Sequence, residues 1–490
     1  MLSGSIYGSI QNRKEGDFVG KISAFYTMPH PPIIVPEVGK GEEAAIRETS
    51  DAFDAVSVEI AGIRPDVIVI VTPHGPLFRD AVALSCEKEI RGDLSRFGAP
   101  DVAFQAEIEV SLTERIIHLA EQEGIPSVRM TEQAVKRYGV RYELDHGVMV
   151  PLSFINKRYM DYRLVHITYG LLPKLQLYRF GMCIAKAVEE SCLSAVFIAS
   201  GDLSHRLTKD GPYEYSPYGE KFDREIISLL REGNVPGVFH MDPVTVEKAG
   251  ECALRSYYVL LGAMNEYDFT GHPLSYQGNF GVGYLVMSFT LRKGSGDTLG
   301  RLIREEEERY HSKRMEEDPY VRLARESLTH YILHGSYMQP PDYVTDEMKT
   351  NKRGVFVSIH KDGELRGCIG TIEPVTDSIA QEIIRNAVEA GIYDPRFPSV
   401  EEEELKELDF SVDVLTKPEK TSKAGLDPKK YGVIVRNGYR SGLLLPDLEG
   451  VDTVEEQLRI ALRKAGIALG SPYTMERFEV IRHKGENNDT

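Results

Sequence analysis

Residues 66–72 read DVIVIVT, and Pro73-His74-Gly75 follow directly. A continuous β-branched run has no polar face, so it predicts a strand covered on both sides, as in a parallel sheet between helices. Residues 194–200 (SAVFIAS) and 163–169 (RLVHITY) read the same way, and 22–28 is an apolar, aromatic strand candidate. Helical stretches lie between them. In residues 219–232 Phe222, Ile226, Leu229 and Leu230 fall on one face. Strands alternating with helices over residues 21–292 predict an α/β domain with a mostly parallel central sheet flanked by helices.

Three of these strands run straight into a histidine. His30 stands in MPHPP, His74 in TPHG and His205 in SGDLSH. Each taken singly reads as a turn residue. Three at equivalent strand ends point to one shared site, because ligands bind at the C-terminal edge of open α/β sheets. Neutral imidazole is a ligand for iron, zinc and copper, so a metal is the natural guest. His146 lies in LDHGVMVPL, either as a turn histidine supported by Asp145 or as an oriented imidazole near substrate. Residues 249–255 (AGECALR) are expected to open a helix running to about residue 264, with Glu251 and Cys252 in its first turn. Two histidines with a carboxylate make the facial triad of non-haem Fe(II) oxygenases, and two with a thiolate make a softer site. The plain alternatives are a small buried cysteine and a favourable first-turn acid.

The whole chain has 490 residues. Its 58 basic residues against 75 acidic ones leave a net charge of −17. That disfavours a nucleic-acid partner, which needs a basic surface to displace counterions. Hydrophobic residues at 42% and charged residues at 27% fit an ordinary soluble globular protein. The five cysteines form no CxxC pair, which argues against a zinc ribbon, and their odd, sparse set argues against a disulfide framework. Residues 1–20 read as a loose polar extension without the apolar core of a signal peptide. No run of 18 apolar residues predicts a membrane span. The expected setting is the reducing cytoplasm.

The character changes near residue 297, where Glu305, Glu306, Glu307 and Glu308 follow one another. Residues 293–317 read as a solvated helical linker. Residues 318–490 read as a second, α+β domain. It opens with a helix carrying Val321, Leu323, Ala324, Leu328 and Ile332, followed by strands at 354–359 and 408–415. A strand pair at 431–435 and 441–445 is expected around Asn437-Gly438, and a helix at 454–465. Cys368 sits in RGCIG, read as a tight glycine turn. As a reactive thiol it would need a depressed pKa, with Arg366 the nearest source.

The segments MPHPP, VTPHGP, LDHGVMVPL, SGDLSH and GECALRSYYVLLGAM, in this order, make residues 21–292 resemble the class III extradiol dioxygenase (LigB-type) superfamily, which includes the Memo proteins. The resemblance implies His30 and His74 as metal ligands, His205 as the acid/base and His146 near the substrate. The third ligand is a Glu, or another residue type in some branches, and a Cys in Memo-like members; Glu251 and Cys252 are adjacent, and the register stays open. Fe(II) is the implied ion, with Zn or Cu as alternatives. LRGCIGTIEP, Asn386-Ala387, Asp394-Pro395-Arg396-Phe397 and LDFSV make residues 318–482 resemble the AMMECR family. Both in one chain resemble the AmmeMemoRadiSam system protein A type of fusion, which implies a radical-SAM partner protein.

The leading expectation is a metal-dependent oxidoreductase acting on a small, catechol-like diol. The alternatives are a Memo-like metal-binding protein without dioxygenase activity, working with a radical-SAM partner, and a non-catalytic interaction module. A homo-oligomer is an arrangement the sequence leaves open.

Overall fold

The computed structural model describes residues 19–294, 297–315, 317–361, 363–448 and 450–484. The loose extension expected over residues 1–20 lies, up to residue 18, outside the described residues. The chain divides into two compact units, residues 1–303 and 304–490.

The first unit is built on an eight-stranded sheet. Its strands are β1 (Lys21–Met28), β2 (Val67–Thr72), β3 (Val82–Ser85), β6 (Ser127–Met130), β7 (Arg163–Thr168), β8 (Ser194–Ser200), β9 (Tyr267–Gln277) and β10 (Tyr284–Lys293). A separate two-stranded ribbon pairs β4 (Glu89–Leu94) with β5 (Ala99–Glu107). The order across the sheet is β6-β3-β7-β2-β8-β1-β10-β9. β7, β2, β8 and β1 run parallel, while β10 and β9 extend one edge antiparallel and β3 pairs antiparallel with β7. The expected mostly parallel sheet is therefore present, with antiparallel additions on both sides.

Side-chain alternation explains why the run from Val67 to Val71 is apolar throughout. Val67, Val69 and Val71 enter one hydrophobic core, and Ile68 and Ile70 enter the other. Ala195, Phe197 and Ala199 divide from Val196 and Ile198 in the same way. A strand between two cores has no solvent face, and each fully buried Val or Ile contributes roughly 1.5–3 kcal/mol. Among the covering helices are Lys174–Glu190 and Leu254–Ala263 on one side and Arg47–Ile63 and His146–Ile155 on the other.

Register then places the chemistry. Met28 pairs with Ser200, and Val71 pairs with Ala199. β1, β2 and β8 thus end level, and the loops carrying His30, His74 and His205 leave from one edge.

In the second unit β11 (Val355–Lys361), β12 (Glu364–Gly370), β13 (Leu408–Leu415) and β18 (Val480–Lys484) form one antiparallel sheet. β14 (Glu419–Lys420), β15 (Gly432–Asn437), β16 (Arg440–Leu444) and β17 (Thr474–Phe478) form another. The helices Pro319–His334, Ile379–Ile392 and Val454–Ala465 complete an α+β unit. One expectation is corrected here. RGCIG is not a turn: Cys368 lies within β12 and pairs with Ser358. Gly367 is there because a Cβ would stand 2.2 Å from the Ala390 carbonyl oxygen on the packed helix. The expected β15–β16 hairpin is present, its turn running from Asn437, which pairs with Arg440, through the two loop residues Gly438 and Tyr439. Gly438 takes the positive φ of +59°, as the first central position of a type II′ turn demands. The helix expected in the Glu-rich stretch spans Thr298–Met315. No helix among the described residues is long and apolar enough to cross a membrane.

Candidate metal centre

His30 follows β1 and is 1% exposed. Its backbone N–H donates to Asp202 Oδ1 at 2.7 Å, and its Nδ1 meets Ser200 Oγ at 2.9 Å. Its Nε2 faces Nε2 of His74 at 2.9 Å and Sγ of Cys252 at 3.6 Å. One ligand atom each from His30, His74 and Cys252 lies within 4.8 Å of the others, close enough for one ion to touch all three. The donor set suits a transition metal of borderline or soft character.

Glu251 and Cys252 go separate ways. The expected helix begins only at Leu254, so both residues lie in the preceding turn. Glu251 Oε2 accepts the Leu254 N–H at 2.6 Å and is occupied with the helix start. Cys252 turns to the histidines, and its sulfur accepts the Asp202 N–H at 3.2 Å. The structure brings Cys252, not Glu251, into the cluster.

His146 is the first residue of the helix His146–Ile155, with Asp145 as its N-cap. Its ring stacks on His74, centroids 4.1 Å apart, and meets Phe97 edge-on at 5.0 Å. His205 stands outside the three-ligand group, with its ring stacked on Tyr213 at 5.1 Å. Burial holds His30 well below the usual histidine value, and neighbouring histidines add to this. Burial also lowers His74, against the pull of Asp145. It brings His146 and His205 to about 4, with His74 adding in each case. All four imidazoles are neutral at pH 7, the form that offers a lone pair to a metal or accepts a proton.

Sequence reasoning named Asp145 only as a support for His146 and passed over His166 and Asp202, which also hold this edge together. Asp145 Oδ1 accepts from Thr72 Oγ1 at 2.6 Å and from Gly147 N at 2.8 Å. Its Oδ2 meets His166 Nε2 at 3.1 Å, and His166 Nδ1 meets Ser85 Oγ at 2.9 Å. Burial would raise Asp145, but His166 and Thr72 bring it below the usual carboxylate range. Asp202 has fewer donors, and burial pushes it up to about 7. The available signals were a histidine inside the buried run RLVHITY and an acid two residues past a strand end.

A cleft of about 1130 Å³ opens beside His74 and His146, lined among others by Phe97, Met149, Arg96 and Arg141. The β4–β5 ribbon, not foreseen from sequence, supplies much of its wall. Cys368 belongs to the second unit, where Ser358 Oγ donates to its sulfur at 3.2 Å and Arg396 Nη2 donates to its carbonyl at 2.8 Å.

The family described as the catalytic LigB subunit of aromatic ring-opening dioxygenase matches residues 24–287, more than half of the chain. The chain belongs to the LigB family. Residues 321–486 match AMMECR1, so the LigB unit is fused to an AMMECR1 domain. Protein CA_C1420 of Clostridium acetobutylicum is 56% identical over 464 residues, covering 94% of this chain and 99% of its own length. A protein of Thermotoga maritima is 49% identical over 171 residues, covering 34% of this chain and 98% of itself. Among solved structures, uncharacterized protein PH0010 from Pyrococcus horikoshii is 32% identical, covering 33% of this chain and 88% of that one, with a TM-score of 0.31. The three-ligand group of the LigB unit lies within the span matched by its family.

Proposed function

We propose that the LigB unit is a metal-dependent oxidoreductase acting on a small, catechol-like diol with O₂ as oxidant. Fe(II) is the first choice of ion, with Zn or Cu as alternatives. The observation that carries this reading is the convergence of His30, His74 and Cys252 beside a cleft of about 1130 Å³. The ion would supply Lewis acidity and a shared anchoring point for diol and O₂. His205, which the resemblance makes the acid/base, would handle the proton at the attacked oxygen, and His146, stacked on His74 at the cleft wall, would orient the diol. Phe97 offers an apolar face beside His146. The cleft carries Arg91, Arg96 and Arg141 against Asp93, Glu143 and Asp145, an even balance of charge in a chain whose net charge is −17. The proposed setting is the cytoplasm, consistent with five free cysteines.

Cys252 favours a second reading. A sulfur ligand where the resemblance allows a carboxylate points to altered chemistry: a metal-binding protein without ring-opening activity, acting with the radical-SAM partner that the fusion implies. One experiment separates the two. The full chain is loaded anaerobically with Fe(II), its metal content measured, and a panel of catechols and aminophenols added under O₂. The first reading expects oxygen uptake matched to loss of one diol. A fully loaded protein that leaves every compound unchanged selects the second reading, and a chain that takes up no metal removes both.

A further inference from the structure

Ser200 is the last residue of β8 and is fully buried. Its Oγ lies 2.6 Å from the carbonyl oxygen of Gly147 and 2.9 Å from Nδ1 of His30. A hydroxyl has one proton and two lone pairs. The carbonyl can only accept, so the proton of Ser200 is committed to Gly147. The contact with His30 can then be a hydrogen bond only if the ring N–H donates to the serine oxygen. Nδ1 of His30 therefore carries the hydrogen and Nε2 carries the lone pair. Nε2 is the atom that faces His74 and Cys252.

We infer that Ser200 is a positioning residue that locks His30 in its Nδ1–H tautomer, holding Nε2 bare and aimed at the metal site. This rests on the metal-centre reading above. Metal-binding histidines commonly donate their second ring N–H to a fixed acceptor, and removal of that acceptor costs about 10- to 100-fold in affinity. Here the acceptor is itself oriented by Gly147, beside His146 in the chain. A Cβ on Gly147 would stand 2.3 Å from Thr72 Oγ1 and 2.8 Å from Asp145 Oδ1, so the crowded backbone there is held close. One hydroxyl thereby ties the His30 loop, the end of β8 and the helix bearing His146.

The test has two arms on the full chain. The first needs no variant and no metal: ¹⁵N-histidine labelling and long-range ¹H–¹⁵N correlation report the His30 tautomer, with Nδ1–H expected. Finding Nε2–H overturns the proposal whatever the protein does with metals, so its failure is distinct from failure of the metal reading. The second titrates Zn(II) into wild type and Ser200→Ala. The variant is expected to bind 10- to 100-fold more weakly and to show a mixed His30 tautomer. Equal affinity with an unchanged tautomer overturns the role of Ser200. A Ser200→Ala chain that does not fold leaves the decision to the first arm.

Discussion

The sulfur of Cys252 lies 3.6 Å from Nε2 of His30, while the carboxylate of its neighbour Glu251 accepts the Leu254 N–H at 2.6 Å. Adjacent side chains in that turn point to different tasks. Cys252→Ala should lose at least tenfold in affinity for Fe(II) or Zn(II), as a deleted ligand does. Glu251→Gln should bind metal within about threefold of wild type and lose about 1 kcal/mol of stability through the weakened helix start. Metal titration and calorimetry on both variants check this; metal loss in Glu251→Gln with a folded chain would transfer the ligand role to the carboxylate.

The Asp145 carboxylate gathers Thr72, Gly147 and His166 beneath the cluster. Asp145→Asn keeps an acceptor for the N-cap but removes the charge these donors face. Hydrogen bonds to a charged group contribute about 1.5–3 kcal/mol each, so a loss of about 2 kcal/mol is expected. Denaturant unfolding of the full chain measures it. A neutral result would mean that these contacts do not depend on the carboxylate charge.

Much of this was legible in the sequence because it rests on periodicity and order. DVIVIVT and SAVFIAS are strands for the reason their composition suggests, and parallel register converts strand ends into a shared edge for His30, His74 and His205. What was illegible depends on rotamers and long-range packing. Whether Glu251 or Cys252 faces the histidines is set by a carboxylate that captures a helix N–H, which spacing does not reveal. RGCIG looked like a turn because it holds two glycines, yet Gly367 serves the close approach of a helix to a strand. Exposed and inward residues alternate along most of the β4–β5 ribbon, but Gly92, Pro100 and small inward side chains such as Ala106 weaken the apolar signal that would have announced it.

Acid should weaken an ion pair inside the AMMECR1 domain. Arg366 forks onto Glu404, with Nε at 3.1 Å from Oε1 and Nη2 at 2.9 Å from Oε2. Burial alone would raise the Glu404 carboxyl, but Arg366, the Glu401 N–H and Lys361 bring it down to about 2. A depressed folded pKa stabilises above the unfolded value near 4.3, and that contribution disappears as pH falls through the folded value. The difference amounts to at most about 3 kcal/mol. The stability gap between wild type and Glu404→Gln should hold from pH 7 to about pH 5 and then shrink toward pH 2. A gap independent of pH in urea unfolding would show that Glu404 acts through packing alone.

Two glycines in helices of the LigB unit should answer the same substitution with opposite signs. Alanine is favoured over glycine in a helix interior by about 1 kcal/mol. At Gly62, in the helix Arg47–Ile63, an added Cβ meets nothing within 4 Å, so Gly62→Ala should stabilise by about 0.5–1 kcal/mol. At Gly147, in the helix His146–Ile155, the same atom would press on Thr72 Oγ1 and Asp145 Oδ1. Overpacking costs about 1–3 kcal/mol and outweighs the gain in propensity, so Gly147→Ala should destabilise. It should also weaken metal binding, because the Gly147 carbonyl is the acceptor that orients Ser200. Calorimetry of both variants reads the two signs, and a Gly147→Ala chain as stable as Gly62→Ala, with undiminished metal affinity, would mean that this backbone is not held in place by its neighbours.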